Sequence, residues 1–204
     1  MQKDDIKIPE VKWSENVIIA DADYIDHVAF DLIVNFERML GRRIPPADMS
    51  QWAVCVALDG GLRPGSHETQ LVLVHDKGRM AMDNFTPSDY ESELNSKAFK
   101  DSQMGEFIVT SLPVEDMVTK EDLMADLVQT VMAQEPVKRV MVIPDTETTD
   151  TYDMLRRLLR NVDEEKKHVT LFAMQPMQGG NFRQEILGYS LLNALGVKAD
   201  EIHG

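Results

Sequence analysis

Two aspartates one residue apart, Asp21 and Asp23, close the apolar run VIIAD and are followed at once by a helical pattern. Three more apolar runs end the same way: CVALD at Asp59, VLVHD at Asp76 and MVIPD at Asp145. Side chains just beyond the carboxyl ends of parallel strands share one edge of a sheet, and open α/β proteins bind ligands at that edge. Carboxylates gathered there repel one another, so at least one must hold its proton more tightly or a cation must intervene. Mg²⁺ or Mn²⁺ suits such an all-oxygen site. Asp21, Asp23, Asp76 and Asp145 are therefore the candidate metal ligands, and Asp21, Asp23 and Asp145 the candidate catalytic residues.

Aspartate also has structural uses, because it caps helices and opens turns. Asp23 stands where a helix cap belongs, and Asp59 and Asp76 precede the turn sequences Gly60-Gly61 and Lys77-Gly78. Asp145 has the least structural excuse, since Thr148 or Thr149 is better placed to cap the next helix. His27 follows Asp23 by one helical turn, as a ligand, a proton carrier or an ordinary exposed histidine. His75 should point away from Asp76 in a regular strand. The lone Cys55 lies in an apolar run and reads as a reduced core thiol. There is no CxxC or HExxH signature, and no GxGxxG or P-loop, so no nucleotide cofactor is indicated.

The elements that must position these residues follow from apolar periodicity. Val17 to Ala20 reads as a strand buried on both faces, and Ile25 to Leu40 as a helix with one broad apolar stripe, stopped at Gly41. Strands are expected over 51–58, 70–74, 106–112, 139–143 and 169–174, with 106–112 at an edge because Pro113 follows. Helices are expected after Thr86-Pro87, after a Thr119/Asp122 cap, over about 150–161 and over about 182–195. Strands alternating with helices imply a three-layer α/β/α sandwich with a mainly parallel sheet of about five to six strands. A single domain over 1–204 is expected, with 1–14 as an N-terminal extension and 79–105 as an irregular or lid-like insertion.

The net charge of −14 repels phosphate backbones at long range, which argues against general nucleic-acid binding. The opening MQKDDIKIPEVK has acids and a proline but no apolar run, so neither a signal peptide nor a membrane partner is expected and the location reads as cytoplasmic. A homodimer is the commonest assembly for such a chain.

Three resemblances refine this. ENVIIADADYIDHVAFDLIVNFERMLGRRIPP, WAVCVALDGG, LFAMQP and EILGYSLLNALG resemble an uncharacterised family of conserved proteins from Bacteroides-type bacteria, which implies no activity. VIIADADYID, VCVALDGG, LVLVHDKG and VMVIPDTETTD resemble NYN/PIN-like ribonucleases. That resemblance implies an NYN/PIN-like or Rossmann-like sheet and Mg²⁺- or Mn²⁺-dependent phosphodiester hydrolysis. Asp21 or Asp23 with Asp145, and Asp76 beside them, would hold the metal, and RNA would be the partner. This chain departs from that group's first motif, where an Asn commonly follows the Asp by three residues and Tyr24 stands here. Asp21-Ala22-Asp23-Tyr24-Ile25 also resembles the first motif of haloacid-dehalogenase-like phosphatases. That implies a phosphorylated small molecule as substrate, Asp21 as nucleophile, Asp23 as proton shuttle, Thr110 or Ser111 and Lys120 as helpers, and a late acidic motif at Asp145 and Asp150. A non-catalytic binding or regulatory module on the same scaffold is the third reading.

Overall fold

The computed structural model describes residues 12–203. Most of the expected N-terminal extension lies outside the described residues. Seven strands form one sheet in the order β5-β6-β3-β1-β7-β8-β9. They are β1 (Asn16–Asp21), β3 (His67–His75), β5 (Lys97–Asp101), β6 (Gly105–Pro113), β7 (Arg139–Ile143), β8 (His168–Ala173) and β9 (Arg183–Ile186). Every pairing is parallel except that of β5 with β6. Two further short strands, β2 (Ala47–Asp48) and β4 (Phe85–Thr86), pair with each other in parallel. The fold is mixed α/β with a mostly parallel seven-stranded sheet and helices on both faces.

The central strand shows why its sequence is apolar throughout. Ile18 and Ala20 join a core built with α1 (Ala22–Leu40), α2 (Met49–Asp59) and α5 (Leu187–Ala194). Val17 and Ile19 face the other way, into a core built with α3 (Lys120–Met132) and α4 (Thr151–Leu158). A strand covered on both sides loses the alternation of polar and apolar residues. A last short helix, α6 (Ala199–Ile202), follows. No helix among the described residues is long and apolar enough to cross a membrane.

Several elements differ from expectation. The run 51–58 is not a strand but the body of α2, capped by Asp48, whose carboxylate accepts the Gln51 N–H at 3.0 Å. Asp59 therefore ends a helix. Gly60, the next residue, accepts a 2.7 Å hydrogen bond at its carbonyl from Arg139, the first residue of β7, which puts Asp59 at the opposite end of the sheet from Asp21. The strand β6 is interior, because β5 covers its outer side. Its register against β3 sets Gly105 opposite His67, at φ +89°, where a Cβ would stand 2.1 Å from the His67 carbonyl oxygen. Only glycine fits there. Finally, 183–186 is the edge strand β9, which shortens the last long helix to 187–194.

The stretch 79–105 carries β4, the short turn Tyr90–Leu94 capped by Asp89 in place of the helix expected from Thr86-Pro87, and β5. Its first part is tied to α1 through Asp26. The carboxylate of Asp26 accepts N–H bonds from Asp83 at 3.0 Å and Asn84 at 2.8 Å and pairs with Arg79 at 3.0 Å.

Candidate functional site: an acidic cleft around Lys120

The site begins where β1 runs into α1 without a loop. Asp21, the last residue of the strand, is also the cap of the helix, its Oδ1 accepting the Tyr24 N–H at 3.1 Å. That duty frees Asp23, which sequence reasoning cast as the cap. Asp23 Oδ2 accepts a 2.7 Å bond from the backbone N–H of Asp76, just past β3, and a 2.6 Å bond from Lys120 Nζ. The same ammonium stands 3.4 Å from Asp21 Oδ1 and 3.2 Å from Asp76 Oδ1. Three of the four expected aspartates are thus brought together, on one lysine.

Lys120 is the first residue of α3, held in place by the Thr119 cap, which accepts the Asp122 N–H at 3.1 Å. A cation is disfavoured at a helix N-terminus by the helix dipole. The three carboxylates outweigh that dipole. Burial lowers the Lys120 pKa, but Asp21 and Asp23 more than reverse the effect and it ends above the ordinary lysine value. Burial pushes Asp21 the other way, up to about 6, with Lys120 and the Tyr24 N–H opposing the rise and Asp23 adding to it. Asp23 Oδ1 is buried without a hydrogen-bond partner, with Arg79 Nε 3.8 Å away.

Asp145, just past β7, lines the same cleft from the far side, but its carboxylate is turned to its own loop. Oδ1 accepts the N–H groups of Glu147 and Thr148, both at 3.0 Å, and Oδ2 accepts the Thr148 hydroxyl. The next helix starts from Asp150, which makes no side-chain cap bond, so neither Thr148 nor Thr149 is the expected cap, although Thr149 Oγ1 accepts the Thr151 N–H at 3.3 Å from one residue before it. Asp145 therefore has the structural use that its sequence position did not disclose. Tyr24 reaches across to this loop and donates to Glu147 at 2.8 Å. The cleft has a volume of about 370 Å³, and His27 and Asp31 complete its rim. His27 does not reach Asp23 but pairs with Asp31 at 3.4 Å in solvent.

The expected Mg²⁺ or Mn²⁺ can be tested against this donor set. Among the described residues no three His, Cys, Asp or Glu side chains converge as metal ligands. The junction of Asp21, Asp23 and Asp76 is filled by Lys120, and Asp145 faces its own backbone. As placed, the residues do not fit a divalent ion.

Other candidates resolve plainly. Thr110 and Ser111 lie on β6, two strands from β1, and Ser111 Oγ donates to the Tyr90 carbonyl. With α1 starting directly after Asp21, no flap separates strand from helix, so the haloacid-dehalogenase resemblance keeps only Lys120. His75 is buried, stacked on Tyr90 with ring centroids 3.7 Å apart. Cys55 is half-buried on α2 rather than in a strand, and burial followed by Asp59 pushes its thiol up to about 11, which leaves it unreactive. Sequence reasoning missed Arg79 altogether, whose only signal was a basic residue shortly after Asp76.

A family model, DUF6621, described as a family of unknown function, matches residues 10–202. No curated protein and no solved structure matches the chain.

Proposed function

The chain belongs to the DUF6621 family, and from that premise we propose that it is a ligand-binding module of NYN/PIN-like architecture whose strand-end cleft recognises a small positively charged group, an ammonium or a guanidinium. One observation carries this reading. Asp21, Asp23, Asp31, Asp145 and Glu147 line the cleft, Lys120 is the one lysine or arginine among its described lining residues, and that lysine is already shared among three carboxylates. The volume of about 370 Å³ suits a small ligand. The net charge of −14 acts in the same direction at long range, drawing cations in and turning polyanions away. Support for the architectural part comes from the parallel core β6-β3-β1-β7-β8, with acids placed behind its three central strands, β3, β1 and β7.

Spermidine is a direct probe. Calorimetric titration at low ionic strength is expected to give saturable binding that weakens as salt is added, since the attraction is screened. The double variant Asp23→Asn with Asp145→Asn should lose it. Absence of saturable heat at low salt contradicts the proposal.

A second reading, phosphoester hydrolysis in the same cleft, is favoured by the pKa of Asp21. A carboxyl that titrates near 6 beside an ammonium can carry a proton close to neutral pH. The Mg²⁺- or Mn²⁺-dependent form of this reading requires Lys120 to vacate the junction first. Cleavage of single-stranded RNA, or turnover of a small phosphate ester, abolished by Asp21→Asn, would select it over the first.

A further inference from the structure

The structure assigns to Lys120 the place of a divalent ion: we propose that its ammonium is the built-in cation of the Asp21–Asp23–Asp76 junction, and that removing it turns the junction into a metal site. Asp21 and Asp23 also line the proposed ligand cleft, but the inference concerns what neutralises them in the free protein and holds whatever the cleft recognises.

The geometry argues for replacement rather than for an ordinary ion pair. The three acids come from three places in the chain: the end of β1, the first turn of α1 and the loop after β3. They meet at one point, and Lys120 Nζ occupies it at 2.6, 3.2 and 3.4 Å. The shortest is a hydrogen bond and the other two are ion-pair distances. Ligands of Mg²⁺ stand at about 2.0 to 2.1 Å, so the oxygens would have to close in by about 1 Å on an ion, which they cannot do with the ammonium between them. Arg79, 3.8 Å from the unpartnered Asp23 Oδ1, adds a second positive charge on the other side of the same carboxylate. Arg79 is shared with Asp26 and Asp83, so Lys120 is the principal cation of the junction. The position of Lys120 at the first residue of a helix, where the dipole opposes a cation, shows that α3 gains nothing by it. The gain lies with the carboxylates.

Mn²⁺ alone is the probe, and the readouts are calorimetric titration and the shift in melting temperature, neither of which requires an activity. Lys120→Ala opens space and removes the charge. Lys120→Arg keeps the charge. The expected result is a saturable Mn²⁺ site and an upward melting shift in Lys120→Ala, with neither in the unmodified protein nor in Lys120→Arg. Equal Mn²⁺ binding by all three proteins overturns the proposal, and so does a folded Lys120→Ala that binds no Mn²⁺. Should Lys120→Ala fail to fold in buffer, recovery of the native circular-dichroism spectrum only when Mn²⁺ is present supports the assignment. Failure to recover in Mn²⁺, while Lys120→Arg folds, overturns it. Spermidine binding can fail without touching any of these outcomes.

Discussion

Asp26 and Asp21 sit less than two turns apart along the same stretch of chain, both buried, yet they are in opposite condition. Asp26 is saturated: two backbone N–H groups and one guanidinium converge on its carboxylate, and the Asn84 side-chain amide adds more. Asp21 receives one backbone N–H and a lysine at 3.4 Å, and burial holds its pKa up at about 6. Asp23, between them, keeps one buried oxygen with no hydrogen-bond partner. A buried carboxylate is therefore not in itself a functional sign. The degree to which its lone pairs are filled separates a structural clasp from a group left with something to bind.

The comparison breaks most sharply if Asp26 is removed. Asp26→Ala strands the Asp83 and Asn84 N–H groups and leaves Arg79 without its closest partner, a loss of about 3 to 5 kcal/mol, readable as a lower denaturation midpoint in urea. Little or no loss would show that the clasp is not the structural half of the pair.

The next largest effect is pH dependence. Asp21 rises from its ordinary 3.8 to about 6, so between those pH values the folded chain binds more protons than the unfolded one. Its contribution makes stability fall as pH rises through that window, by about 2 to 3 kcal/mol in all. Lys120 stays charged throughout. In Asp21→Asn this component disappears, and the difference between the two stability–pH curves should grow from about pH 4 to about pH 6. Parallel curves would refute it.

Asp145→Ala removes a turn clasp made of two N–H groups and a hydroxyl, at a cost of about 1 kcal/mol, checked by thermal melting. His27→Ala should change stability by less than about 0.5 kcal/mol, because its pair with Asp31 lies in solvent. A larger loss would move His27 from the rim to the centre of the site.

Much of this was legible in the residues. The both-sided apolar run of β1, the long stripe of α1, the Thr119 cap and the acids behind β1, β3 and β7 all follow from pattern. The error over 51–58 is instructive. A helix buried against both sheet and α5 is apolar nearly all round, so its run of eight residues looks like a core strand. The helical spacing survives only in Met49, Trp52, Ala53, Val56 and Ala57, the residues that are fully buried. The strands β5 and β9 escaped because edge strands are short and polar, KAFKD and RQEI. The site was half legible. Aspartate at a strand end announces a shared edge, but nothing local says which carboxylate will cap a helix and which will reach a lysine a hundred residues on. That pairing depends on α3 starting beside β1, a matter of topology that no spacing encodes.

The most direct test of this account follows the Asp21 carboxyl carbon by NMR across a pH titration. A midpoint near 6, moving downward when spermidine is added, is the expected result, because a carboxylate short of partners gains one from a cationic ligand. A midpoint in the ordinary carboxylate range, unmoved by spermidine, would mean that Asp21 is as fully satisfied as Asp26 and that the cleft has nothing left to bind.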